Sequence, residues 1–306
     1  MKDVITSVKI ANIKFDNPII AASGTFGFGR EYGKYVDLNN IGGISVKGLT
    51  LKPQEGNLPP RIAETPSGIL NSVGLENPGV DAFIKDEIPF LSNYKLKKIV
   101  NIAGNSIEDY VNMVLKLNDT DVDMFEINLS CPNVKQGCLL FGVTNEGVYQ
   151  VTKEVRNVSN KPIIIKLTPN VSNIASLAYQ AQLAGADAIS LINTITAMKI
   201  DIKTKRPVLH NNTGGLSGPC IRPIAIRMVH EVYSTVDIPI IGMGGISSYE
   251  DVLEFMIAGA RAVMIGTYNF VDPTICEKVV VDLKEYMVNN NINDINELVG
   301  SLKLYE

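Results

Sequence analysis

Ala184-Gly-Ala-Asp-Ala-Ile-Ser190 and Ala258-Gly-Ala-Arg-Ala-Val-Met264 are near copies of one another, and each joins a helical pattern to a short apolar run. Ahead of the first copy, apolar residues recur at helical spacing over 174–184, with Ser172 as the predicted N-cap and Gly185 placed to end the helix. Ahead of the second, Ser247 and Glu250 stand at capping-box spacing before 252–257. A helix-to-strand junction that recurs belongs to a repeating β/α architecture. Working outward, the same short apolar run ending in small or polar residues is found at 17–24, 43–48, 98–104, 124–127, 162–166, 188–194, 239–245 and 262–267. Ile107, Tyr110, Val111 and Val114 follow Ser106 at helical spacing between two of these runs. Eight such units predict a (β/α)8 TIM barrel, one domain over residues 1–306. A doubly wound sheet is the alternative, because strand order is not written in a sequence. Residues 7–15 read as a β-hairpin ahead of the barrel, turning at Ala11-Asn12.

Two connections are long. Residues 50–97 carry Asn71-Ser-Val-Gly-Leu-Glu-Asn-Pro-Gly79, and residues 195–217 carry Lys199, Lys203, Lys205, Arg206 and the Gly214-Gly215 pair. In a barrel both should rise over the C-terminal mouth, where connecting loops build active sites. Plain surface elaboration suits the second better than the first.

The totals bound the function. The chain has 306 residues, 45% hydrophobic and 20% charged, with a net charge of −4, which disfavours a nucleic-acid partner. No apolar run approaches the roughly 18 residues of a membrane span, and the first residues lack the apolar centre of a signal peptide. Cys131, Cys138, Cys220 and Cys276 match no zinc spacing and read as reduced thiols, so the expected location is the cytoplasm.

The residues at the strand ends carry the chemistry. They are Ser23-Gly24, Lys47, Asn101, Asn128 with Cys131, Lys166, Asn193-Thr194, Gly244-Gly245 and Gly266-Thr267. The last two sets follow the seventh and eighth strands, where glycine-rich backbone presents N–H groups to a phosphate. A lysine ending an apolar strand either reaches solvent or meets an anion. Lys47 and Lys166 together point to negative charge on a bound ring or carboxylate. Asn71, Asn101, Asn128 and Asn193 suit the amide edges of a planar heterocycle. No histidine stands at a strand end, which leaves Cys131 as the best-placed proton acceptor, given cations that favour its thiolate.

The motifs Asn17-Pro-Ile-Ile-Ala-Ala-Ser-Gly-Thr-Phe-Gly27, Ser45-Val-Lys-Gly48, Asn71-Ser-Val-Gly-Leu-Glu-Asn-Pro-Gly79 and Asn128-Leu-Ser-Cys-Pro-Asn-Val-Lys135, with the terminal Gly-Gly and Gly-Thr pairs, resemble those of class 1 dihydroorotate dehydrogenases over essentially the full length. Ser-Gly-Thr-Phe-Gly and Val-Lys-Gln-Gly resemble the 1B subclass. The resemblance implies FMN held by Ser23, Lys47, Gly48, Asn101, Asn128, Lys166 and Ile192, its phosphate at Gly218, Gly244, Gly245, Gly266 and Thr267. It implies dihydroorotate contacting Lys47, Asn71, Ser72, Val73, Gly74, Leu75, Asn128, Asn193 and Thr194. Cys131 would take a proton from one ring carbon while its neighbour delivers hydride to the flavin, and Lys166 would stabilise the reduced anionic flavin. It implies oxidation to orotate in pyrimidine biosynthesis, with electrons passing through an iron–sulfur flavoprotein subunit, which carries FAD and a [2Fe-2S] cluster, to NAD. The assembly expected is a homodimer within a heterotetramer. Cys138 departs from the family pattern, standing where the second glycine of Lys-x-Gly-Gly belongs.

The rivals are a 1A-like enzyme with a soluble acceptor, a non-redox phosphate-binding lyase or isomerase, and an inactive barrel that binds a partner. The quinone-using class fits less well, because its members carry an N-terminal helical extension.

Overall fold

A computed structural model describes residues 4–129 and 141–305. Eight parallel strands close into a barrel: Ile19–Ala21, Gly43–Ser45, Lys97–Ile102, Met124–Asn128, Ile163–Lys166, Ala188–Leu191, Ile240–Met243 and Ala262–Ile265, hereafter the first to eighth strands. Each pairs with its sequence neighbours, and the eighth closes on the first through Val263 opposite Ile19. The expected (β/α)8 TIM barrel is therefore the fold. The strands are short and almost wholly buried, since parallel strands meet side chains on both faces. Helices Ile107–Leu117, Asn145–Val158, Ile174–Leu183, Arg222–Tyr233, Tyr249–Ile257 and Ile275–Asn289 follow the third to eighth strands, and a helical run over 80–91 follows the second. After the first strand only the 3-10 turns Tyr32–Lys34 and Leu38–Asn40 are found. The hairpin Val8–Ile10 with Ile13–Phe15 stands ahead of the barrel, and Ala11 at its turn has a φ of 52°.

The twin junctions fold identically. Gly185 (φ 97°) and Gly259 (φ 123°) end their helices in the left-handed region. The Ala186 N–H returns to the Ala181 carbonyl and that of Ala260 to Phe255, while Gly185 bonds Gln182 and Gly259 bonds Met256, the double return of a Schellman end. In the next residue the chain joins the barrel: the Asp187 N–H bonds the Ile163 carbonyl, and that of Arg261 bonds Ile240. Two N-caps differ by one residue from their sequence reading. Asn173, not Ser172, caps its helix by accepting the Ser176 N–H at 3.0 Å. The second box is Ser248 with Asp251, not Ser247 with Glu250, and Asp251 also accepts from Ser247. The Asn173 carboxamide and the Ser248 hydroxyl each take a free N–H of their first turn, and the Asp251 carboxylate reaches back to the N–H groups ahead of its helix.

The two long connections form one structure. Ile62–Thr65, Gly68–Asn71, Gly214–Ser217 and Ile195–Ala197 build a four-stranded antiparallel sheet, with Leu216 opposite Leu70 and Gly215 opposite Asn71. Ala63, Leu70 and Leu209 give it a small core of its own. The second connection supplies two of the four strands, just as the first does, against the reading of it as surface elaboration.

The twin glycines differ in surroundings, which gives a stability test. A Cβ at Gly185 would lie 3.0 Å from Arg156 Cγ, tight but short of a clash, whereas one at Gly259 would lie 2.2 Å from the Tyr233 ring. Gly185→Ala should lower stability by about 1 kcal/mol, the penalty of a positive φ. Gly259→Ala should lose at least about 2 kcal/mol, because overpacking adds to it. Urea unfolding of the two variants checks the order, and equal midpoints would contradict it.

Candidate active site

The barrel mouth and the sheet above it enclose a cavity of about 1000 Å³. Its wall brings together Ser23, Lys47, Gly48, Asn71, Ser72, Val73, Gly74, Leu75, Asn101, Asn128, Lys166, Ile192, Asn193, Thr194, Gly244, Gly245, Gly266 and Thr267. Gly218 is not on that wall. It lies one layer behind, its carbonyl 2.7 Å from where a Cβ on Gly245 would stand. Cys131 and Cys138 lie outside the described residues; Leu129 and Gly142, which flank the stretch holding them, both line the cavity.

The floor is polar where a barrel interior is usually apolar. Glu126, in the middle of the fourth strand, is fully buried. Its Oε2 accepts from Ser45 Oγ (2.8 Å) and Asn101 Nδ2 (2.6 Å), and its Oε1 accepts from Ser190 Oγ (2.7 Å). Lys166 Nζ stands 3.8 Å from Oε2 and donates to Ser23 Oγ at 3.4 Å. A buried carboxylate is tolerated only with such partners. Sequence reading passed over Glu126, Ser45 and Ser190 because each sits inside an apolar run; the faint signal was a lone carboxylate in Met124-Phe-Glu-Ile-Asn128.

Among the described residues, Asn101 Oδ1 is buried with no partner. A Cβ on Gly48 would lie 2.9 Å from it, so the absence of a side chain there leaves the amide oxygen its room. On the fourth strand, Asn128 accepts at Oδ1 from Asn193 Nδ2 (3.4 Å), and its carbonyl accepts from the Tyr110 hydroxyl (2.9 Å). Asn170, also missed in the sequence, donates to the Thr194 carbonyl (3.1 Å) and accepts the Thr196 N–H (2.9 Å), fixing the turn that presents Asn193 and Thr194.

From the sheet side, the loop Asn71–Leu75 (72 to 74 between) is braced by its neighbours. Asn57 Nδ2 bonds the Ser72 carbonyl and hydroxyl at 3.0 Å, Gln54 bonds the Gly74 carbonyl at 2.8 Å, and Asn77 bonds the Leu75 carbonyl at 2.7 Å. Gly74 and Leu75 both have positive φ, 80° and 56°. Lys47 faces the cavity with no hydrogen-bond or ion-pair partner for its Nζ among the described residues. Burial holds its ammonium below the ordinary lysine value; Glu76 opposes this and Arg61 adds to it.

At the opposite end, Gly244 (φ 132°) and Gly245 (φ 78°) follow the seventh strand, and Thr267 follows the eighth with Oγ1 2.8 Å from Ser217 Oγ. Asn269 holds the Ile265 and Gly266 carbonyls, both at 2.9 Å, which turns the start of that segment. Among the described residues, the charged side chains on the cavity wall are Lys47 and Lys166, both cationic. Such a cavity suits a planar, amide-edged ligand that carries negative charge.

A family model described as dihydroorotate dehydrogenase matches residues 5–287. Curated relatives named "Dihydroorotate dehydrogenase B (NAD(+)), catalytic subunit" are similar over almost all of the chain. One from Thermoanaerobacter sp. (strain X514) is 59% identical over 97% of this chain and 98% of its own. One from Caldicellulosiruptor saccharolyticus is 54% identical, covering 97% and 99%, and one from Geobacter metallireducens is 50% identical, covering 99% and 100%.

The tight seat of Gly48 yields a test of the floor. Gly48→Ala must displace the Asn101 amide or the backbone, and Leu75 stands 3.4 Å away on the other side. A loss of about 1–3 kcal/mol is expected from this overpacking. Urea unfolding should show a lower midpoint with unchanged slope, and an unaltered midpoint would mean that the floor yields freely.

Proposed function

The chain belongs to the dihydroorotate dehydrogenase family, and from that membership we propose that it is the FMN-containing catalytic subunit of a class 1B, NAD-linked enzyme. Its reaction is the oxidation of dihydroorotate to orotate in pyrimidine biosynthesis, in the cytoplasm. The observation that carries the reading is convergence: motif residues scattered from Ser23 to Thr267 line one cavity.

The residues present fit FMN. The buried, unpartnered Asn101 Oδ1 offers an acceptor to a ring N–H, the bare edge of Gly48 leaves space beside it, and the glycine turns after the seventh and eighth strands suit a phosphate. In this reading Ser23, Lys47, Gly48, Asn101, Asn128, Lys166 and Ile192 surround the ring. Gly244, Gly245, Gly266 and Thr267 take the phosphate, with Gly218 shaping that turn from behind. When bound, FMN supplies the acceptor for a hydride leaving the substrate.

Dihydroorotate is assigned to the side of the cavity below the mouth sheet. There Lys47, the loop over 71–75, Asn128, Asn193 and Thr194 offer one cation and several amides to its carboxylate and ring edges. Cys131 is assigned as the base that takes the proton from the ring carbon. The support is its family motif and a covalent tether of two residues to Leu129 on the wall, roughly 7 Å of chain at most. An unassisted thiol, with a pKa of about 8.5, is only partly ionised near neutrality, so this role requires cations nearby that favour its thiolate. Lys166 faces the ring site with a charge suited to electron-rich states of the bound group.

Electrons must then leave. The name "catalytic subunit" borne by the relatives supports a partner, here assigned as an iron–sulfur flavoprotein with FAD and a [2Fe-2S] cluster. The assembly assigned is a homodimer of this chain within a heterotetramer.

The purified chain should be yellow and release FMN on denaturation. Dihydroorotate should bleach it in stopped flow, while NAD reduction stays slow until the partner is added. Cys131→Ala should keep FMN and bleach at least about a hundredfold more slowly. Cys138→Gly should stay near the parent rate. A colourless chain would end the flavin reading, and efficient NAD reduction by the chain alone would end the partner reading.

Lys47 sets a pH dependence for orotate binding. The bound carboxylate stabilises the protonated lysine, so its pKa in the complex lies above that of the free site. Affinity is then full below the free-site pKa and falls as pH rises through it. Because burial lowers that pKa, the fall should begin below the ordinary lysine value. Calorimetric titrations across alkaline pH should show the fall in the parent and not in Lys47→Met. The same fall in both would remove Lys47 from the substrate site.

A further inference from the structure

The resemblance and the wall of the cavity give no part to Glu126, a buried ionisable group at the floor. It is fully buried beneath the wall, yet it touches two of the side chains that a ligand would meet or lie beside, Asn101 and Lys166, and Lys166 in turn donates to Ser23. We propose that Glu126 is a positioning residue that keeps the Lys166 ammonium charged and fixed at the cavity floor and turns the Asn101 amide oxygen into the cavity. The proposal rests on the reading of the cavity as a flavin site and adds a group that does not itself touch flavin or substrate.

Three observations carry it. Every partner of the carboxyl group can donate to it: two serine hydroxyls, one amide N–H2 and one ammonium. The same contacts decide the Asn101 amide. With Nδ2 held at 2.6 Å by the carboxylate, Oδ1 must face the other way, where it is buried and unpartnered beside Gly48. A flipped amide would set its oxygen against a carboxylate, so one buried charge fixes which edge the ligand meets.

The third observation is charge. Lys166 is 5% exposed, and burying a cation is costly unless an anion stands by. Among the described residues, the groups packed around it from the fourth and sixth strands and from the end of the first are Glu126, Asn128, Ser190 and Ser23, and only Glu126 is titratable. Lys47 is the other cation on the wall; the charges that act on it are Glu76 and Arg61. Glu126 is therefore the counter-ion that lets the floor hold a positive charge inside the barrel.

The test is the substitution Glu126→Gln, which keeps the length, removes the charge and exchanges one acceptor oxygen for an N–H2 donor, a loss of hydrogen bonding that does not vary with pH. Without its counter-ion, folded Lys166 should give up its proton at a lower pH than the unfolded chain does. Between those two values the unfolded state binds more protons, so the stability of the variant rises with pH relative to the parent. The expected result is a gap in urea midpoint between parent and Glu126→Gln that is widest near neutrality and narrows as pH approaches the ordinary lysine value. The narrowing should vanish when Glu126→Gln/Lys166→Met is compared with Lys166→Met. In the FMN-loaded chain, the reduction potential of Glu126→Gln should fall more steeply above the same pH, a break absent from the parent and from the double variant.

A purely structural Glu126 would lower stability equally at every pH and leave no break. That outcome, or a break that survives without Lys166, overturns the proposal. If Glu126→Gln does not fold, Glu126→Asp, which withdraws the carboxylate by one methylene, should show the same narrowing nearer the lysine value, and parallel curves would overturn the proposal too. The unfolding arm needs no flavin, so failure of FMN to bind the parent would count against the flavin reading and leave the Glu126 result to stand or fall by itself.

Discussion

A carboxylate closed off from water inside a barrel must be answered on every side, and that demand organises this molecule. Glu126 projects from the fourth strand and draws donors from the second (Ser45), third (Asn101), fifth (Lys166) and sixth (Ser190). Five adjacent strands thus share one polar knot beneath the mouth. An apolar filling of the same space would be at least as stable, since desolvating an ion pair offsets much of its attraction. What the knot provides instead is direction: each partner has one arrangement in which all the bonds are made, and the side chains above it inherit that arrangement.

Above the floor, the roof is set by pairing between distant parts of the chain. Gly68–Asn71 and Gly214–Ser217 lie together in antiparallel register, and Asn71 Nδ2 also bonds the Gly215 carbonyl at 3.3 Å. The small residues are needed there. A Cβ at Gly215 would fall 2.0 Å from Thr194 Oγ1, and one at Gly214 would fall 2.7 Å from the Asn71 carbonyl. Close approach of these backbones joins the end of the sixth strand to the loop over 71–75. The two halves of this wall are thus one sheet, and strain in either is felt by both.

The barrel was legible because its signals are local. An apolar run, a polar end and a glycine-closed helix recur within a few residues, and the twin junctions at Gly185 and Gly259 repeat down to the carbonyl each N–H meets. Strand-end residues such as Lys47, Lys166 and Asn193 were legible for the same reason: a polar group at the end of a buried strand stands out. Glu126 was not, since its meaning lies in four strands that closure of the barrel brings to it. That both long connections rise over the mouth was legible, but their pairing was not, because nothing near Ile69 announces a partner at Ser217. Caps failed by one residue where two adjacent polar side chains, Ser172-Asn173 and Ser247-Ser248, could each serve, and only the geometry of the first turn selects between them.

Floor, roof and glycine turns divide the electrostatic work. At the far end, backbone turns around Gly244, Gly245 and Gly266 offer N–H dipoles, which hold an anion without adding a formal charge. On the ring side the formal charges are concentrated, and they are held differently. Lys166 is matched by Glu126, so its cation is fixed and already compensated. Among the described residues Lys47 has no ion-pair partner, and burial lowers its hold on a proton. On the proposed reading, a compensated lysine suits a bound group that gains and loses charge, and an uncompensated one suits an arriving anion. Two lysines of the same chemical type at one barrel mouth are thereby suited to two tasks, one to persist and one to respond, and the difference rests on the single acidic residue beneath them.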